Sequence, residues 1–136
     1  MKKILVLLLI IPFMVGCSKT YKHTYNISST KEDIEISIKG ENLSLSDNTP
    51  IIISKDNQEI VKGEFINKEG YEYFKRIINT DEITHDIKDN YIYYEYKNEY
   101  VYIIDIDNSD MYFRIKSDNK DNLNSIYKYL KINKKN

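Results

Sequence analysis

The chain has 136 residues, 20 Lys and Arg against 21 Asp and Glu, and a formal charge of −1. Both signs are interspersed without a basic block, which excludes the phosphate-neutralising footprint of a nucleic-acid binder. Cys17 is the single cysteine, so no disulfide closes within the chain and the fold must hold by its apolar core.

The first element is a leader. Lys2 and Lys3 give a short positive start, Ile4 to Val15 is apolar apart from Pro12, and Gly16-Cys17 closes the run. This is the length of a signal-peptide core. It falls short of the roughly 18 apolar residues that a permanent membrane-spanning helix requires. Pro12 lacks an amide N–H and ends the helix near the small residues. Met14-Val15-Gly16-Cys17 resembles the lipobox of bacterial lipoproteins, where Leu usually stands in place of Met14. The resemblance implies that residues 1–16 are a cleaved signal peptide and that the Cys17 thiol takes a diacylglyceryl group. Cys17 is then the first residue, held at the extracytoplasmic face of the cell membrane. Two acyl chains anchor firmly where one binds marginally, at about 0.8 kcal/mol per buried CH₂.

Removing 16 of the 136 residues leaves 120, the size of one domain. Lys2 and Lys3 leave with the leader, so the charge falls from −1 to −3. Ile, Lys, Asn and Tyr make up half of the chain. Their A/T-rich codons point to a low-GC bacterium and a Gram-positive surface.

Ser18 to Lys31 is polar and has no clear period, so residues 17–31 read as the lipidated cysteine and a flexible tether, with a single domain over 32–136. Ile34, Ile36 and Ile38 alternate with polar residues, as in a half-buried strand. Leu43 to Leu45, Ile51 to Ser54 and Glu59 to Ile66 extend a meander, with a turn at Asp56-Asn57-Gln58. Tyr71, Phe74, Ile77 and Ile78 recur at helical spacing, predicting a helix over about 69–79 with Asn67 as its cap. Residues 80–86 read as an acidic connection containing His85.

Three tyrosine-rich strands follow at 91–96, 100–106 and 111–116, since aromatic and β-branched residues favour a pleated surface. Pairing Ile106 with Met111 places Tyr102, Ile104, Phe113 and Ile115 on the core face and turns Val101, Ile103, Tyr112 and Arg114 the other way. The turn at 97–99 leaves two registers open for Tyr91 and Tyr93. Leu123, Ile126, Tyr127 and Leu130 mark a closing helix, capped by Asp118 or Asp121, and residues 133–136 read as a frayed end.

The fold class is therefore α+β: a mostly antiparallel sheet of about six to seven strands with two helices packed on it. Over about 51–132 this element order is similar to the PsbP and Mog1 families, in which a β-meander carries helices packed on the sheet.

Asp105 to Lys116 begins like a calcium loop but has Asp110 where the sharp turn needs Gly and Lys116 where the bidentate Glu belongs. His23 and His85 are the only histidines, too few with a lipidated cysteine for a His/Cys zinc site. No nucleophile elbow or phosphate-cradling glycine pattern is present, and the residues imply no metal, cofactor or catalytic group. What remains is a binding face around Tyr93, Val101, Ile103, Tyr112 and Arg114, provided that no helix covers it. The expectation is a membrane-anchored, non-catalytic binding or accessory module with an envelope protein or glycan as partner. A protective lipoprotein of the immunity or phage-exclusion type is the alternative.

Overall fold

Ile34, Ile36 and Ile38 are all fully buried, while Asp33, Glu35 and Ser37 between them are partly exposed. The same period-two pattern organises most of the chain. In the computed structural model, which describes residues 19–135, it gives ten strands and two helices. The order is β1 (Thr20–Ile27), β2 (Glu32–Lys39), β3 (Leu43–Leu45), β4 (Ile51–Lys55), β5 (Gln58–Asn67), α1 (Lys68–Ile78), β6 (Thr84–Ile87), β7 (Tyr91–Tyr96), β8 (Glu99–Asp105), β9 (Met111–Ser117), α2 (Lys120–Tyr129) and β10 (Leu130–Lys134). The leader and Cys17 lie outside the described residues.

All strand pairs are antiparallel. They form a seven-stranded sheet in the order β3-β4-β5-β9-β8-β7-β6 and a three-stranded sheet in the order β1-β2-β10. The fold class is thus α+β, as the residues indicate, with a second sheet in addition.

One core lies between the two sheets. Ile34, Ile36 and Ile38 of β2 meet Ile51, Ile53, Phe113 and Ile115 of the large sheet, and Leu123 and Ile126 of α2 pack beside them. A second core fills the opposite face of the large sheet, where Ile78 of α1 covers Ile92, Val101 and Ile103. The small sheet and α2 therefore occupy one side of the large sheet and α1 occupies the other.

Most of the expected tether is β1. Tyr21, His23, Tyr25 and Ile27 alternate with exposed Lys22, Thr24 and Asn26, and β1 pairs with β2 from Thr20↔Lys39 to Ile27↔Glu32. Tyr25 is buried, and its hydroxyl donates to the Ser46 carbonyl at 2.6 Å. At the other end, α2 stops at Tyr129; Leu130, expected in the helix, and Asn133 and Lys134, expected to fray, belong to β10, which pairs with the free edge of β2. His85 lies on β6 rather than in a loop. Asn119, not Asp118 or Asp121, caps α2 by accepting from the Asn122 amide. Asn67 caps α1 as its sequence position suggests, accepting from the Gly70 amide at 2.8 Å.

The register at 91–106 is set by a two-residue turn. Tyr96 pairs with Glu99, and Lys97 and Asn98 both take positive φ, 49° and 64°. That is the primed geometry whose twist matches paired strands. It puts Tyr91 and Tyr93 on the face of Tyr102 and Ile104, and Ile92 and Tyr94 on the face of Val101 and Ile103.

Candidate binding cavity beneath helix α1

β5 runs directly into α1, so the helix folds back over the face of the strands next to β5. Tyr71, Phe74 and Ile78 form its inner stripe. Tyr71 stacks on Tyr112 of β9, with ring centroids 4.1 Å apart and planes at 11°. Phe74 lies near Tyr94, with centroids at 6.4 Å. Toward its C-terminal half the helix stands off the sheet and leaves a cavity of about 330 Å³. Its walls include Phe74, Ile77 and Ile78 of α1, Ile83, and Tyr94 and Val101 of the sheet, with Arg114, Tyr96 and Glu99 completing the lining.

Arg114 is the polar centre of this apolar space. Its side chain is only 15% exposed. One terminal nitrogen donates to Glu64 Oε1 at 3.2 Å, the other donates to the Tyr94 hydroxyl at 3.0 Å, and the guanidinium lies 4.7 Å from the centre of the Phe74 ring. Its Nε–H is buried and meets no acceptor among the described residues. Guanidinium planes stack on aromatic faces where an ammonium cannot, which suits arginine to this position. Burial raises the Tyr94 hydroxyl above its ordinary pKa of 10.0, although the Arg114 hydrogen bond and charge oppose the shift. Tyr94 thus keeps its proton. Because its oxygen accepts from Arg114, that proton is available to donate. Arg114 retains N–H groups beyond the two engaged ones. The two side chains therefore present donors to the cavity, and what fits is an apolar group bearing a hydrogen-bond acceptor.

The rim is apolar as well. Among the described residues the exposed large hydrophobics are Tyr73, Ile77, Tyr96 and Tyr129. Ile77 and Tyr96 line this cavity, and Tyr73 stands one helical turn from Ile77 on the same stripe of α1. Two of the four thus line one opening.

The five residues expected to form an exposed binding face do not form one. Val101 and Ile103 are buried under α1, and Tyr112 lies beneath Tyr71. Tyr93 is on the opposite face, against Tyr102, and donates to Glu95. The cause is twofold: α1 covers the face, and the turn at Lys97 and Asn98 fixes the register that sends Tyr93 away. Only Val101 and Arg114 of the five reach the cavity. Sequence reading missed Phe74, Ile77, Tyr94 and Tyr96 as a site. A usable signal was present, since Tyr73 and Ile77 add an apolar stripe roughly 100° or more from the inner one, more than a single buried face needs.

No group of three or more His, Cys, Asp or Glu placed to hold a metal ion occurs among the described residues. No helix among them is long and apolar enough to cross a membrane. No family model, curated protein or solved structure matches the chain.

Proposed function

We propose that the chain is a lipid-anchored, extracytoplasmic binding protein that captures an envelope protein by taking one of its apolar side chains into the cavity beneath α1. The observation that carries this reading is that exposed Ile77 and Tyr96 line a single apolar cavity that also holds the buried Arg114 guanidinium. Binding energy in protein interfaces concentrates in a few aromatic and arginine side chains around a well-packed pocket. Exposed apolar patches mark such sites. Arg114 and Tyr94 then receive a carbonyl or carboxylate beside the inserted group. The anchor rests on Met14-Val15-Gly16-Cys17, which keeps the partner search to the outer surface of the membrane.

Photo-crosslinking in intact cells tests the reading. A benzophenone side chain at Tyr96 is expected to give one discrete adduct, and Ile77→Arg in the same chain is expected to abolish it with thermal stability unchanged. An adduct undiminished by Ile77→Arg refutes capture at this cavity. Cys17→Ser tests the anchor, because the variant is expected to leave the membrane fraction.

A further inference from the structure

The outer face of the small sheet is polarised in charge. Strand register puts residues directly opposite one another on the same face. Its outward rows, read from the start of β1, are Thr20 with Lys39, then Lys22 with Ser37 and Lys131, then Thr24 with Glu35 and Asn133. The row after that holds Asn26 and Asp33. Lysines thus crowd the end where β1 starts, where Glu41 is the adjoining carboxylate, while at the other end Asp33 and Glu35 are balanced by Lys31 and Lys135. Glu35 is paired with Lys135 at 3.6 Å. Lys22, Lys39 and Lys131 are exposed and make no ion pair among the described residues. Lys128 is exposed at the same end, with its ammonium 5.4 Å from the Tyr129 ring centre. Tyr129 is 47% exposed and shares a groove with Lys39 and Gly40.

The chain leading into this end is short. Only Ser18 and Lys19 separate Cys17 from Thr20. Three residue steps reach at most about 11 Å, near the roughly 8–10 Å over which a charged surface acts at about 0.1–0.15 M salt.

We propose that this lysine-rich end of the small sheet docks on the anionic phospholipid headgroups of the membrane that holds Cys17, with Lys22, Lys39 and Lys131 against phosphate and Tyr129 at the interface. The inference rests on lipidation at Cys17, which sets the distance; register and charge supply the rest. Lysines near an anionic leaflet gain electrostatic attraction, and tyrosine suits a boundary where one end of the ring is apolar and the other wet. Docking on this side fixes the orientation of the domain. The small sheet and α1 pack on opposite faces of the large sheet, so the outer face of α1 around the exposed Glu72 stands away from the lipid.

The test uses the full-length lipidated protein reconstituted in vesicles. With the native thiol acylated, Ser37→Cys gives a single site for an environment-sensitive dye between Lys22 and Lys131, and Glu72→Cys gives one on α1. Quenching by doxyl-labelled lipid is compared in phosphatidylglycerol-containing and pure phosphatidylcholine vesicles. At Ser37→Cys the quenching is expected to be at least threefold greater with phosphatidylglycerol, and to fall to the phosphatidylcholine level when Lys22, Lys39 and Lys131 are replaced by Glu. Glu72→Cys is expected to stay unquenched throughout. Equal quenching at Ser37→Cys in both vesicle types, with the lipid mass present on the N-terminal peptide, overturns the docking while leaving the anchor intact. An N-terminal peptide without lipid overturns the anchor and the docking together.

Discussion

Gly63→Ala tests the packing of the core between the two sheets, on the face of β5 and β9 opposite the cavity. Gly63 sits on β5 opposite Ile51 of β4 and Ile115 of β9. Its φ is not positive, so alanine meets no backbone strain there and space alone decides. A methyl at this position collides with the ring of Phe113, whose Cε1 lies 2.9 Å from the new carbon and whose Cζ lies nearer still. Phe113 is fully buried and tilted against Phe65, with centroids 5.1 Å apart, so its ring has no room to swing aside. Overpacking of this kind costs about 1–3 kcal/mol, and the loss of glycine's freedom in the unfolded chain returns about 0.4–1 kcal/mol. The net loss is about 1–2 kcal/mol, which for a domain near this size lowers Tm by about 4–8 °C. The adjacent pair in the ladder is Glu64↔Arg114, so a displaced β5 also loosens the contact that holds Arg114. Calorimetry on Gly63→Ala, Phe113→Leu and the double variant measures the effect. The smaller side chain relieves the collision, and the double variant is expected to be more stable than the sum of the single losses by about 1 kcal/mol. A wild-type Tm for Gly63→Ala, or strict additivity in the cycle, refutes the reasoning.

Asn67→Ala removes the acceptor for the Gly70 amide and is expected to cost about 1 kcal/mol; amide exchange at Glu69 to Tyr71 should accelerate, and unchanged exchange would count against the cap. Asn98→Gly keeps the positive φ of the β7–β8 turn without steric cost, and is expected to raise the midpoint of chemical denaturation. Glu32 is buried beneath the β8–β9 turn, where desolvation works to raise its pKa. Hydrogen bonds donated by the Ser109 hydroxyl and the Asp110 amide, with the Lys134 charge, prevail and leave it below its ordinary 4.5. A carboxylate depressed on folding stabilises above its unfolded pKa and loses that contribution as pH falls through the folded value. The Tm gap between wild type and Glu32→Gln is therefore expected to be full above about pH 5 and to close at lower pH; a gap independent of pH would contradict this.

Much of the large sheet is legible in the residues. The Ile106–Met111 pairing follows from alternation and agrees with the observed Ile104↔Phe113 ladder, and α1 and its cap follow from spacing. The small sheet is not legible, because its strands look polar one at a time. In β1 the inward positions are Tyr21, His23, Tyr25 and Ile27, mostly amphipathic residues that read equally well as a solvated linker. β10 is five residues long and follows α2 without a break, so helical periodicity runs into it. Both take shape only through β2. The same limit hid the site: whether Val101 and Ile103 face solvent depends on where α1 lands, which no local pattern in β8 encodes.

β2 lies between the first and last strands of the described chain, and this placement sets a clock on folding. A chain emerging N-terminus first can join β1 to β2 through the short turn at 28–31. The other edge of β2, opposite Ile34, Ile36 and Ile38, stays open until Leu130–Lys134 arrives. Open apolar edges invite pairing with other chains, so a product stopped before Leu130 carries a sticky strand rather than a minor truncation. The arrival of Leu130–Lys134 decides whether the small sheet closes.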